Sequence, residues 1–156
     1  MAEIYSIVYQ TEHSQHIPPY HFSRTPIDEV NLLLGYGIEG DLKGGKREDR
    51  QLNIMSYETL CELATEGCDI EPGRMGEQII IRGVRIETLP PGTRLQIGDT
   101  AQVEIVKLRT GCSWFEQVQG VPVLNVEGRL GMMAKVAQSG PIRVGDAVRV
   151  LAPISS

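Results

Sequence analysis

The sequence is poor in cysteine, in long apolar runs and in positive charge, and each shortage argues against a class of protein. Its three cysteines, Cys61, Cys68 and Cys112, form no C-x-x-C pair, which disfavours a disulfide framework and a structural zinc site. No run of about 18 apolar residues is present, so we expect no membrane-spanning helix. The formal net charge of −5 disfavours general nucleic-acid binding, which needs a basic face.

What is present is the composition of an ordinary globular protein. Of the 156 residues, 41% are apolar and 22% are charged, and we find no linker or low-complexity segment. We therefore predict a single domain over residues 1–156. The first ten residues lack a basic segment and an apolar signal core, so we expect the chain to stay in the cytosol.

Glycine and proline divide the sequence into short stretches that are typical of a mostly β protein. Residues 4–9 and 78–81 have the pattern of strands. Two pairs, Gly98-Asp99 and Gly145-Asp146, each separate two β-rich runs and predict hairpin turns. The apolar residues that follow Ala101 change phase near residue 105, which predicts a bulge in that strand.

Two helices are predicted from capping residues. Thr25 can cap a helix that begins at the following proline and ends at Gly35. Ser56 can cap a second helix that ends at Gly67 and carries Cys61 on its buried face. Together these elements predict a mainly β fold, a closed or nearly closed β-barrel with a few short helices.

Residues 37–51, GIEGDLKGGKREDRQ, combine glycines with basic side chains. Glycines allow the backbone to direct N–H groups at an anion, and Lys43 and Arg50 are among the cations that could bind it. The Gly-Lys-Ser/Thr ending of a P-loop is missing. Composition alone favours a solvated surface turn over an anion-binding loop, and both interpretations stay open.

Cys112 lies in the segment LRTGCSWFEQ, residues 108–117, after a predicted strand and at the start of a short helical turn. The helix dipole and the nearby Arg109 both favour the thiolate, which can attack an electrophile, carry sulfur or bind a soft metal. The alternative is a buried structural cysteine. In residues 73–78, Glu77 precedes a predicted buried strand, where it can fix either a ligand or the loop itself.

The three histidines, His13, His16 and His21, lie close together near two prolines. Their segment has no helical register, so we favour an exposed loop over a metal site. No Ser/His/Asp arrangement or carboxylate pair can be identified from the order of residues, and hydrolase chemistry therefore has no positive support.

Taken in order, these segments resemble the MOSC family, the C-terminal domain type of molybdenum-cofactor sulfurases. The matching segments are Gly37–Lys43, Arg50-Gln51, Pro72–Gln78, Gly98-Asp99, Arg109–Cys112, Gly128–Gly131 and Gly145-Asp146. They extend over nearly the whole chain, and the ordered set is far more specific than any one segment.

The resemblance implies a β-barrel that presents Cys112 in a pocket, as a ligand of molybdenum in the pyranopterin cofactor. The implied pocket residues are Asp41, Lys43, Arg50, Gly76, Glu77, Gln78, Arg109 and Cys112. Some relatives reduce N-hydroxylated bases and amines, so the implied activity is that of an oxidoreductase acting on a small molecule with electrons from a partner reductase. The alternatives are a carrier of sulfur or cofactor, with a cysteine desulfurase as the sulfur source, and a cofactor-free enzyme on the same barrel.

Three positions depart from the family pattern. Lys43 replaces a histidine, Gln78 replaces an asparagine and Gly111 replaces a proline. Lysine can pair with phosphate but cannot accept a hydrogen bond, and glutamine moves the amide by one methylene. Replacing proline loosens the backbone before the cysteine. Together these departures allow either altered or lost binding of the standard cofactor.

Overall fold

The computed structural model describes residues 2–11, 24–42, 44–45, 50–110 and 113–151. The strands are β1 (Glu3–Tyr9), β2 (Thr25–Pro26), β3 (Glu29–Leu33), β4 (Gly37–Ile38), β5 (Leu52–Ser56), β6 (Ile79–Arg82), β7 (Arg94–Ile97), β8 (Ala101–Leu108), β9 (Met132–Gln138), β10 (Gly140–Arg143) and β11 (Val148–Val150). The α-helices are α1 (Tyr57–Thr65) and α2 (Ser113–Gln119), and short 3-10 helices span Ile86–Thr88 and Val123–Asn125.

The main sheet nearly closes on itself. Its strand order is β11-β7-β8-β9-β5-β6-β1-β2, and β5 and β6 are the one parallel pair among these described strands. Beyond that order, β1 approaches β11, where the Ile4 amide donates to the Asp146 carbonyl at 2.9 Å and the Val148 amide donates to the Ala2 carbonyl at 2.9 Å. The prediction of a mainly β, nearly closed barrel with a few short helices is confirmed.

Two hydrophobic clusters explain why β5 is buried along its whole length and why β6 begins with three consecutive buried isoleucines. Leu52 and Ile54 of β5 belong to the cluster inside the curved sheet. Met55 faces the other way, into a second cluster that contains Leu60 of α1 and Phe115 of α2. Strands that are covered on both faces lose the alternation of an exposed sheet. The second cluster fixes both α-helices against the outside of the sheet.

The helix predicted from Thr25 to Gly35 is wrong, because this segment forms strands β2 and β3. Val30 and Leu32 pair with β10, which lies more than a hundred residues further along the chain. The spacing of apolar residues that suggested a helix also fits a strand here, since Leu32 is fully buried and Asn31 is exposed. A partner so distant in sequence decides between the two structures.

The second predicted helix is confirmed as α1, with Gly67 in the left-handed conformation just beyond its end. The placement of Cys61 on its buried face is wrong. The buried residues of α1 are Thr59, Leu60 and Leu63, whereas Cys61 is exposed. The sequence pattern located the helix but misjudged the rotation of its apolar face.

One of the two predicted Gly-Asp hairpins is confirmed. Gly98-Asp99 joins β7 to β8, which pair with each other. Gly145-Asp146 joins β10 to β11, but these strands pair with β3 and β7, so it is a turn between sheets and that hairpin prediction is wrong. The predicted bulge is confirmed, because the register of β8 against β9 shifts between Ile105 and Lys107.

Among the described residues, no helix is both long and apolar enough to cross a membrane.

Candidate functional site

A tight turn before β6 is built around a buried carboxylate. Glu77 is fully buried, and its two carboxylate oxygens accept hydrogen bonds from the backbone N–H groups of Gly73 at 2.9 Å and Met75 at 3.1 Å. Gly73 has φ +86°, and a side chain there would contact Arg24. Glycine therefore permits the turn and the close approach of the arginine together.

With its amides directed at Glu77, the turn presents its carbonyl groups to side chains from other elements. Arg109 donates to the Met75 carbonyl at 2.5 Å, and Arg24 donates to the Gly76 carbonyl at 3.2 Å. Asn53 of β5 also donates to the Gly76 carbonyl, at 3.4 Å. Hydrogen bonds from three segments that are distant in sequence therefore converge on two consecutive carbonyls. We call residues 73–76 the anchoring turn.

A second chain of hydrogen bonds joins Asp41 to the same region. The Gln78 side chain accepts from the Asn53 backbone N–H at 2.8 Å and donates to the Asp41 carboxylate at 3.4 Å. The other oxygen of Asp41 accepts from the backbone N–H of Gln10 at 3.0 Å. Asp41 is only 1% exposed, so burial strengthens each of these bonds. The longer glutamine at position 78 spans both partners.

Two carboxylates and two guanidinium groups thus lie in one buried region, which we call the polar cluster: Arg24, Asp41, Asn53, Glu77, Gln78 and Arg109. Burial raises the pKa of the Glu77 carboxyl above its ordinary value, while the Gly73 N–H and the charge of Arg109 act in the opposite direction. Burial lowers the pKa of the Arg24 guanidinium, and Asp41 and then Glu77 oppose that shift. The formal charges of the cluster balance.

Asn53 of the cluster and Arg50, just before β5, each have a buried polar atom without a hydrogen-bond partner within the described part of the chain. The atoms are the Oδ1 acceptor of Asn53 and the Nε donor of Arg50. A buried acceptor or donor left unpaired costs on the order of 1–3 kcal/mol, so native proteins rarely retain one without a reason.

The structure brings together five of the residues proposed for the pocket, namely Asp41, Gly76, Glu77, Gln78 and Arg109. Arg50 is half-buried just before β5. Lys43, Gly111 and Cys112 lie outside the described residues, as do His13, His16 and His21. Their proposed roles stay predictions.

Sequence reasoning missed Arg24 and Asn53. Arg24 immediately precedes the segment that was wrongly predicted as a helix, and no pattern there indicates a buried side chain. Asn53 stands inside the run Leu52–Ser56, where every residue is buried. A polar side chain within such a run must find partners in the interior, but only the structure shows that this strand is buried on both faces.

The chain on either side of Cys112 is anchored. Before it, the backbone N–H of Arg109 donates to the Gly131 carbonyl at 3.0 Å, in addition to the side-chain bond to the anchoring turn. After it, α2 begins at Ser113, as the predicted helical turn requires, and Phe115 is fully buried in the second cluster.

A cleft of about 530 Å³ lies elsewhere, lined in part by Gln51, Arg94, Glu104 and Lys135. Both of its cations are paired with Glu104, Arg94 at 3.4 Å and Lys135 at 3.8 Å. The cleft contains no residue of the polar cluster, and both of these cations already have a carboxylate partner. Among the described residues, no group of three His, Cys, Asp or Glu side chains could hold a metal ion.

Comparison with known proteins identifies the family of the chain. A model of the MOSC domain matches residues 19–149. The YuaD protein of Bacillus subtilis has a similar structure, with a TM-score of 0.78, 21% identity and 96% of each chain covered. YiiM from Geobacillus stearothermophilus has a TM-score of 0.74 at 20% identity, with 97% of this chain and 76% of that chain covered.

YiiM from Escherichia coli has a TM-score of 0.69 at 17% identity, with 99% of this chain and 72% of that chain covered. No curated protein matches the sequence. At these identities the solved structures establish a shared fold.

Proposed function

Because the chain belongs to the MOSC domain family, which is associated with the molybdenum cofactor, we propose that it binds this cofactor and reduces N-oxygenated small molecules. The observation that carries the proposal is the convergence of Arg24, Arg109 and Asn53 on the anchoring turn. Arg109 stands three positions before Cys112, the proposed molybdenum ligand. A buried polar cluster joined to the segment that leads to Cys112 has the chemistry of a site for a polar group with several hydrogen-bonding atoms.

The two buried, unpaired atoms of Asn53 and Arg50 indicate which groups of the cofactor the site can bind. Asn53 Oδ1 can accept from an N–H of the cofactor, and Arg50 Nε can donate to an oxygen or nitrogen acceptor. Because Asp41 and Glu77 balance Arg24 and Arg109, Lys43 would supply the cation for a phosphate. Cys112 would provide a thiolate, the ligand type that suits a soft metal.

The bound cofactor would supply a two-electron redox centre for the reaction. The remaining residues have structural tasks in this proposal. Glu77 keeps the anchoring turn in the conformation that directs its carbonyls toward Arg24 and Arg109. The side-chain amide of Gln78 donates to Asp41 and accepts from the backbone N–H of Asn53, and so holds Asn53 in position.

The proposed reaction converts an N-hydroxylated amine, R₂N–OH, into R₂NH and water. Two electrons and two protons are consumed, and the N–O bond is broken. The electrons come from a partner reductase, which is oxidised in the process, and the protons come from solvent. We place this chemistry in the cytosol.

The proposal is tested by assaying reduction of an N-hydroxylated amine with a reduced viologen dye, using protein purified from a host that makes the cofactor. We expect turnover by the wild type and by Cys61→Ser, whose exposed thiol is a matched control. We expect Cys112→Ser to lose the activity by about a hundredfold or more, a range typical for loss of an essential catalytic group.

A wild-type protein that carries the cofactor but does not turn over this class of substrate would contradict the proposed reaction. If mass spectrometry then shows an added sulfur, about 32 Da, after incubation with a cysteine desulfurase and cysteine, the persulfide-carrier function replaces it. The adduct must be absent from Cys112→Ser and present in Cys61→Ser for that conclusion.

A further inference from the structure

Asn53 has an amide oxygen whose direction is fixed by the surrounding hydrogen bonds. Its backbone N–H donates to the Gln78 side chain at 2.8 Å, and its carbonyl accepts from the Gln78 backbone N–H at 2.9 Å. The side-chain Nδ2 donates to the Gly76 carbonyl at 3.4 Å. Rotating the amide by half a turn would place two oxygen acceptors against each other, so Oδ1 must point away from the anchoring turn.

That oxygen is buried and accepts no hydrogen bond within the described part of the chain. Asn53 as a whole is only 6% exposed. Nearby donors make bonds to other acceptors: Arg109 bonds to Met75, and the Gln78 amide bonds to Asp41. The strand that carries Asn53 is flanked by β6 and β9, which occupy the backbone groups on both sides.

We propose that Asn53 Oδ1 accepts a hydrogen bond from an N–H group of the bound ligand. That N–H belongs to a neutral, planar group such as the aminopyrimidinone edge of a pterin. The choice of a neutral donor follows from charge, because Arg24 and Arg109 already balance Asp41 and Glu77 in the same region. An amide carbonyl accepts such a donor without adding charge to the interior. This inference rests on the proposed cofactor-binding function and identifies the residue that selects the ligand edge.

The test compares Asn53→Leu with Gln51→Leu. Gln51 is a buried amide two residues earlier whose Oε1 is already used, because it accepts from the Val136 N–H at 2.8 Å. In protein from a host unable to make the cofactor, we expect the midpoint temperature of thermal unfolding of Asn53→Leu to lie within a few degrees of that of the wild type. Gln51→Leu leaves a backbone donor unpaired and should unfold at a clearly lower temperature.

In protein from a cofactor-competent host, pterin is then measured by fluorescence after oxidative release. We expect the pterin content per chain of Asn53→Leu to fall roughly tenfold, the effect of losing one buried hydrogen bond to the ligand. Should Asn53→Leu fail to fold, Asn53→Ser provides the same measurement, because its shorter side chain cannot place an acceptor where Oδ1 lies.

The outcomes separate this inference from the proposed function. If the wild type holds pterin and the position-53 variants hold the same amount, then Oδ1 is bound by water only and the inference is overturned while the proposed function stands. If cofactor-free Asn53→Leu is destabilised as much as Gln51→Leu, the oxygen has a partner within the protein and the inference is also overturned. If the wild type contains no pterin, both fail.

Discussion

At the scale of single residues, Glu77 fixes the conformation of the anchoring turn. Its two oxygens accept two backbone N–H groups of the anchoring turn, so the side chain shapes the loop rather than reaching for a ligand. The sequence left both roles open. Only the conformation of the turn, with Gly73 and Gly76 in the left-handed region, decides between them.

Glu77 should give a stability that depends on pH in a defined direction. Because burial raises its pKa, the folded chain binds the proton more tightly than the unfolded chain. Its contribution to the free energy of unfolding is therefore complete below the ordinary pKa and is lost as the pH rises through the raised pKa. Glu77→Gln cannot titrate, so the stability of the wild type relative to this variant should decrease with increasing pH.

Urea unfolding of both proteins between about pH 4 and 8 measures this difference. Glu66→Gln is a control of opposite sign, because the hydrogen bond from Arg129 lowers the pKa of the exposed Glu66. For that pair the wild type should gain stability with increasing pH, by a small amount because solvent screens the contact. A wild-type advantage over Glu77→Gln that grows with pH would mean that Arg109 and the backbone amides outweigh burial.

Among the residues of the polar cluster, the sequence indicated those that stand in recognisable segments. These residues lie beside glycines or at the ends of predicted strands, where a polar side chain is a candidate for ligand binding: Asp41, Gly76, Glu77, Gln78 and Arg109. Arg24 and Asn53 stand in no such setting. Their partners are carbonyl groups of a turn more than twenty residues away. Because every residue has a backbone carbonyl, the sequence does not show which of them accepts a hydrogen bond from a side chain.

At the scale of secondary structure elements, local signals located α1, β1 and β6 because their patterns are continuous and their boundaries are marked by glycine or a capping residue. The segment from Thr25 to Leu33 was mistaken for a helix. Its structure depends on pairing with β1 and β10, and β10 is contributed by the far end of the chain. Propensity is a weak guide where distant strands supply the hydrogen bonds.

Gly131, just before β9, permits an approach between β5 and the segment that supports Arg109. It has φ +85°, and a Cβ there would lie 2.1 Å from the Ile54 carbonyl oxygen. Its own carbonyl accepts the Arg109 backbone N–H at 3.0 Å. Substitution at this position should therefore disturb both the strand pair and the anchoring of the segment before Cys112.

We expect Gly131→Ala to lower the free energy of unfolding by about 1–2 kcal/mol from backbone strain plus about 1–3 kcal/mol from overpacking. Gly128→Ala is the matched control, since Gly128 has φ +82° and a Cβ added there would meet no described atom within 4 Å. That control should show the strain alone. Equal destabilisation of the two variants, measured by urea unfolding, would mean that the close approach to Ile54 is not maintained in solution.

At the scale of the whole molecule, the evenly spread glycines and short β-rich runs were enough to predict a nearly closed barrel. What they could not predict is the order of strands or the layer outside the barrel. The second cluster, which holds α1 and α2 against β5 and β6, combines side chains such as Met75 and Leu130 from loops. A single domain over the full chain and a partner reductase both remain predictions.

The most direct test of the central claim is the molybdenum and pterin content per chain of protein purified from a cofactor-competent host. If the polar cluster and Cys112 form a cofactor site, wild type and Cys61→Ser should carry both in near-equal amounts, and Cys112→Ser should lose the metal. Folded wild-type protein free of molybdenum and pterin would contradict the account.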